Sequence, residues 1–87
     1  MDSLTRAHIY MDIQKLNRER STILEDIAMI EIINDLSILV NADDKLTGEA
    51  FDNFSDRLSL LNKEIEPKKR RLSEIDSRLD SLRALVR

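Results

Sequence analysis

The chain of 87 residues contains no Cys and no Trp, and it has only one Gly, one Pro and one His. Without Cys it has no disulfide framework and no thiolate chemistry, and one His cannot supply a zinc site. The shortage of Gly, Pro and aromatic residues leaves little material for tight turns, strands or an enclosed pocket. Because 36% of the residues are charged, the composition predicts an all-α protein with long, solvent-rich helices and no cofactor.

The N-terminal sequence lacks the basic start and apolar run of a secretory signal peptide. The most apolar stretch, IAMIEIINDLSILV at residues 27–40, is shorter than the roughly 20 residues that a bilayer requires, and Glu31 and Asp35 lie within it. We therefore expect a helix buried against protein instead of a membrane span. Together with the lack of Cys, this favours a cytoplasmic location.

Helix signals divide the 87 residues, which form a single predicted domain, into two long helices. Asp2 or Ser3 can cap a helix over residues 3–40, because neither Gly nor Pro interrupts that range and Asn41 provides a left-handed stop. The polar residues 41–47 form a connector of ordinary length. A second helix is predicted over residues 48–86.

Apolar residues at alternating steps of three and four follow both helices and form two heptad seams. The predicted seam residues are Ile9, Ile13, Leu16, Ile23, Ile27 and Ile30 on the first helix, and Phe51, Phe54, Leu58, Leu61, Ile65, Leu72, Ile75, Leu79 and Leu82 on the second. Packed together, the two seams make an antiparallel coiled-coil hairpin. Its predicted register places residues 27–40 beside 48–61, and residues 4–20 beside 68–86.

Pro67 interrupts the second seam. An interior proline removes a backbone hydrogen bond and costs about 3 kcal/mol. The heptad phase nevertheless passes through Pro67 without a slip and no Gly or Asn lies beside it, so the sequence predicts a helix that is kinked near Pro67 but continuous. The alternative is a reversal at Pro67, which would make the chain a three-helix monomer.

The first helix carries a second apolar series near its C-terminal end, at residues 29–40, which we name the apolar head. Its members are Met29, Ile32, Ile33, Leu36, Leu39 and Val40. Met29, Ile33, Leu36 and Val40 recur at helical spacing but are rotated by roughly 120° from the first seam, so one facing helix cannot cover both. The head is therefore predicted to bind a second copy, giving a homodimeric four-helix bundle, or the helix of another protein.

Two polar residues interrupt the first seam. Arg20 is predicted to fix the register of the hairpin by reaching a carboxylate on the facing helix, such as Glu74 or Asp76. Asn34 invites the same interpretation.

Four consecutive basic residues, Lys68, Lys69, Arg70 and Arg71, form a candidate nucleic-acid patch. On a helix, however, four consecutive side chains spread over some 300°, and no aromatic residue in 55–87 could stack on a base. For these two reasons a nucleic-acid-associated regulator is the alternative function and not the main prediction.

The segment KLNRERSTILEDIA at residues 15–28 resembles the first helix of the all-helical chorismate mutases. The resemblance implies an active-site arginine at Arg18 or Arg20. The lysine that this family carries further along its chain, and the Gly- and Pro-containing stretch before its second helix, have no counterpart here. A mutase-like enzyme is thus a remote alternative.

No catalytic motif, phosphate-binding loop or metal-ligand cluster occurs in the sequence. The sequence therefore predicts a non-enzymatic coiled-coil module for protein–protein interaction. Small adaptors, regulators and assembly or secretion-type chaperones share this physical character, and the apolar head is the predicted binding surface.

Overall fold

The fold was obtained as a computed structural model, which describes residues 1–43 and 48–87, and the side chains of residues 1–38 and 52–87. The described residues form three helices: α1 over Ser3–Asp43, α2 over Gly48–Lys63 and α3 over Ile65–Leu85. The molecule measures 64 × 16 × 15 Å with a radius of gyration of 19.5 Å, against about 12 Å for a globular domain of this length. The predicted all-α class is confirmed, and the shape is strongly extended.

The sequence signals account for the start of α1 and the start of α2, but not for the end of α1. The backbone N–H of Thr5 donates to Oδ1 of Asp2 at 2.7 Å, which makes Asp2 the N-cap and lowers its pKa. At the other end α1 continues to Asp43, so the predicted stop at Asn41 is wrong. Gly48, the first residue of α2, has a φ of +64°, a left-handed conformation that Gly adopts at little cost.

The second arm of the molecule consists of α2 and α3, separated by the single residue Glu64. Pro67 has no N–H to donate to the carbonyl of Lys63, and in a continuous α-helix its ring would crowd that carbonyl. The backbone N–H of Glu64 instead donates to Leu61 at 3.0 Å, and its carbonyl accepts from Lys68 at 3.2 Å. Pro67 thus lies in the first turn of α3, where a proline costs little, and the helix break falls three residues before it. The prediction of one continuous helix over residues 48–86 is therefore wrong, because the helix is interrupted at Glu64. The predicted bend of the chain near Pro67 stays a prediction.

Contacts across the molecule show that α2 and α3 both run antiparallel to α1. Asn34 contacts Asn62 in α2, and residues 26 and 20 contact residues 68 and 76 in α3. Partners on the second arm therefore advance steadily as α1 is followed towards its N-terminus. A chain that reversed at Pro67 would not keep this order, so the contacts argue against the three-helix alternative. Antiparallel pairing of residues 27–40 with 48–61 would place Asn34 opposite residue 54, so the contact with Asn62 departs from the predicted register by eight residues.

The hydrophobic core is a single layer of side chains between α1 and the second arm. Its fully packed part is a cluster of Ile23, Ile27, Ile75 and Leu79. Every predicted seam residue whose side chain is described is buried or half-buried: Ile9, Ile23, Ile27, Ile30, Ile75, Leu79 and Leu82 are buried, and Ile13, Leu16, Phe54, Leu58, Leu61, Ile65 and Leu72 are half-buried. The side chain of Phe51 lies outside the described residues.

Candidate interaction surface

The apolar head presents large hydrophobic side chains to solvent. Met29 is 58% exposed, and Ile32 and Leu36 are each 52% exposed, whereas Ile33 is half-buried. The predicted head residues Leu39 and Val40 lie outside the described side chains. Burying a side chain of this size stabilises a protein by about 1.5–3 kcal/mol, so the exposed head is a site where association can release free energy.

An open groove of about 240 Å³ borders this surface. Met29, Ile30 and Ile33 of α1 form one wall, and Leu61 of α2 forms the other. Three charged residues, Asp26, Glu64 and Lys68, lie at its end, where Nζ of Lys68 donates to Oδ2 of Asp26 at 3.3 Å. Leu60, which is also exposed, lies one helix turn before Glu64 and therefore on the same side of the second arm. Apolar surface thus continues from α1 across the groove.

The two predicted register residues both have polar partners on the second arm. Nε of Arg20 donates to Oδ1 of Asp76 at 2.8 Å, and Asp76 is one of the two carboxylates that the sequence analysis named. The side-chain amides of Asn34 and Asn62 exchange two hydrogen bonds, of 2.8 and 3.0 Å. Asn62 was not found from the sequence, although its place directly after the seam residue Leu61 puts it at the edge of the interface.

Two of the four residues of the basic segment form ion pairs within the molecule. Lys68 binds Asp26, and Arg71 binds Glu19 through two hydrogen bonds, Nε to Oε1 at 2.7 Å and Nη2 to Oε2 at 2.9 Å. Nη1 of Arg71 also donates to Glu74 at 3.2 Å. The bond from Arg71 holds the pKa of Glu19 below its usual range, and Glu19 and Glu74 together raise the pKa of Arg71.

Lys69 and Arg70 are the two remaining members of the basic segment, and both are exposed. They follow each other on α3 and therefore point about 100° apart, so they do not form one face towards a phosphate backbone. The nucleic-acid alternative stays a prediction.

The chemistry of the remaining surface is sparse within the described part of the chain. There, no group of three or more His, Cys, Asp or Glu side chains could hold a metal ion. In the same residues, no helix combines the length and the apolar character needed to cross a bilayer. Of the two arginines that the chorismate mutase resemblance singles out, Arg18 is exposed and Arg20 is bonded to Asp76.

Comparison with known proteins found no matching protein family, no similar curated protein and no similar solved structure.

Proposed function

We propose that this protein is a helical-hairpin interaction module that works by binding through its apolar head, without chemistry of its own. The observation that carries the proposal is the exposure of Met29, Ile32 and Leu36 on the side of α1 that the second arm does not cover. Full burial of each such side chain stabilises by about 1.5–3 kcal/mol, and about half of that remains to be gained here, which favours association with a helix of a second copy or of another protein. The role would be that of an adaptor, a regulator or an assembly or secretion-type chaperone.

The internal contacts support a binding role for the head over one for the basic segment. The stem of the hairpin already has its packed cluster of isoleucines and Leu79, and Lys68 and Arg71 already have carboxylate partners. The head, in contrast, has large apolar side chains with solvent as their neighbour. A coiled-coil hairpin that joins a second hairpin through this surface would form the predicted four-helix bundle.

The proposal is tested by the solution mass of the protein, measured by light scattering over a concentration series. Leu36→Asp places a charge in the exposed head and should abolish association while leaving the helix content, measured by circular dichroism, largely unchanged. Ile33→Asp should do the same. Ile38→Asp is the matched control, because Ile38 is also exposed but lies about 200° round the helix from Leu36. Arg70→Ala should have little effect.

Two results would contradict this function. One is a wild-type protein that associates but whose solution mass neither head variant lowers. The other is a mass that falls equally with Ile38→Asp, which would mean that any added charge on α1 disrupts the protein. The nucleic-acid alternative predicts instead an affinity that falls steeply with salt and is weakened by Arg70→Ala.

A further inference from the structure

The exposed head is one end of a longer pattern on the outer side of α1. Residues at alternating steps of four and three run along this side from Leu4 to Leu36, and we name them the outer stripe. Its members are Leu4, His8, Met11, Lys15, Arg18, Thr22, Glu25, Met29, Ile32 and Leu36, all of which are exposed. Leu4 is 70% and Met11 54% exposed. The stripe is therefore an unpartnered heptad seam with apolar ends and a polar centre.

The stripe can pair with the stripe of a second copy that runs in the opposite direction, because residues of matching character then lie opposite each other. When the two copies are centred on residue 20, Leu4 of one copy lies opposite Leu36 of the other, and Met11 lies opposite Met29. In the centre, Lys15 corresponds to Glu25. The remaining correspondences are His8 with Ile32 and Arg18 with Thr22. Each of these pairs joins the two different core positions of the heptad, which is how the layers of an antiparallel coiled coil are composed.

We propose that the outer stripe binds a second copy of this chain, with the two α1 helices antiparallel and a two-fold axis near residue 20. The proposal rests on the proposed function and specifies its partner and register. Each apolar head then packs on the exposed Leu4 and Met11 of the other copy. Lys15 of each copy faces Glu25 of the other, so the arrangement forms two ion pairs related by symmetry.

Charge favours this register over one in which two heads meet. The segment 21–38 contains four carboxylates and neither Lys nor Arg. A two-fold axis through the head would place Asp35 of each copy beside Asp35 of the other, which is unfavourable. In the register centred at residue 20, Asp35 lies at the level of the uncharged residue Thr5 instead. The carboxylates of Glu19 and Asp26, which border the stripe, are already bound by cations of the second arm.

The overlap is long enough for a stable interface. Residues 4–36 of α1 extend over about 48 Å at 1.5 Å per residue, and a helix is about 10–12 Å wide. A strip of these dimensions on each copy amounts to roughly 1,000 Å² in total, which is about the lower limit for a specific interface. We therefore expect a dimer whose mass depends on protein concentration.

Charge reversal tests the pairing of Lys15 with Glu25. Lys15→Glu and Glu25→Lys each create two like-charge contacts and should raise the dimer Kd roughly 10- to 30-fold. The double variant carrying both changes should restore the wild-type Kd, because each pair then forms with its charges exchanged. Lys69→Glu is the control, since it makes the same change of charge at an exposed position of α3.

Distances between spin labels test the register itself. The chain has no Cys, so Ser21→Cys and Asp35→Cys each provide one labelling position at an exposed residue. About an axis at residue 20, the two labels at position 21 should lie within about 20 Å of each other, because packed helix axes are 8–10 Å apart. The two labels at position 35 should lie about 45 Å apart.

The possible outcomes separate this inference from the function on which it rests. A short distance at position 21 together with rescue by the double charge variant supports it. A short distance at position 35 and a dimer that Lys15→Glu does not weaken would overturn it, yet leave the head as the binding surface. A wild-type mass of 10.1 kDa at every concentration would also overturn it, and a helix of another protein would then be the ligand of the head.

Discussion

Replacing Ile75 with Ala should be among the most destabilising single changes in this protein. Ile75 is completely buried and belongs to the cluster with Ile23, Ile27 and Leu79. The substitution removes three buried carbon atoms at about 0.8 kcal/mol each and leaves a cavity, so we expect a loss of about 3 kcal/mol. At roughly 0.05–0.15 kcal/mol per residue, this is between a quarter and more than half of the total stability.

The assay is urea unfolding followed by circular dichroism at one fixed protein concentration, because association contributes to the measured stability. With a slope of about 1–1.5 kcal/mol per molar urea, the midpoint should fall by about 2 M or more. Ile38→Ala is the matched control: it deletes the same atoms from an exposed side chain and should change the free energy of unfolding by less than about 0.5 kcal/mol. If the two variants were equally stable, the core described above would not be what holds the arms together.

Three further predictions concern polar contacts and the helix break. Arg71→Gln should raise the pKa of Glu19 towards its usual value of 4.5, which carboxyl NMR would detect, and an unmoved pKa would mean that the ion pair does not persist in solution. Because the pKa of Glu19 is lowered in the folded state, the stabilisation from this pair is complete above about pH 4.5 and is lost as the pH falls through the lowered value. A double-mutant cycle with Asn34→Ala and Asn62→Ala should give a coupling of about 0.5–1.5 kcal/mol, whereas zero coupling would contradict the amide pair. Pro67→Ala should stabilise the protein by well under the ~3 kcal/mol expected for an interior helical proline, since Pro67 lies in a first turn; a gain of ~3 kcal/mol or more in thermal unfolding would contradict that placement.

The sequence was informative about the helices because few residues compete with a helical interpretation. The scarcity of Gly and Pro left two long segments, of which only the second is interrupted, at Pro67. The heptad spacing identified side chains that the structure buries, such as Ile23 and Ile75. The end of α1 was less predictable. Asn41 is a common helix terminator, but its preference is too weak to stop a helix, and α1 continues to Asp43.

The position of the break between α2 and α3 could not be predicted from the local sequence. Pro67 marked a disturbance, but the position of the break depends on which carbonyl loses its donor, and that carbonyl belongs to Lys63, four residues earlier. The partner of Asn34 could not be found because it depends on the register between the arms, and a shift of one arm along the other changes every pair at once. The exposure of Met29 and Leu36 was anticipated from the angle between two apolar series, since a single facing helix covers only one of them.

The one-layer core has a consequence for how the molecule opens. In a globular domain a buried side chain is enclosed by neighbours that are distant in sequence, so the whole core is lost together. Here each layer between α1 and the second arm is supported mainly by the layers directly above and below it, as in a repeat protein. The arms should therefore separate layer by layer instead of in one cooperative step. Amide hydrogen exchange would then be slowest around Ile23, Ile27, Ile75 and Leu79 and would quicken with distance from them along the axis.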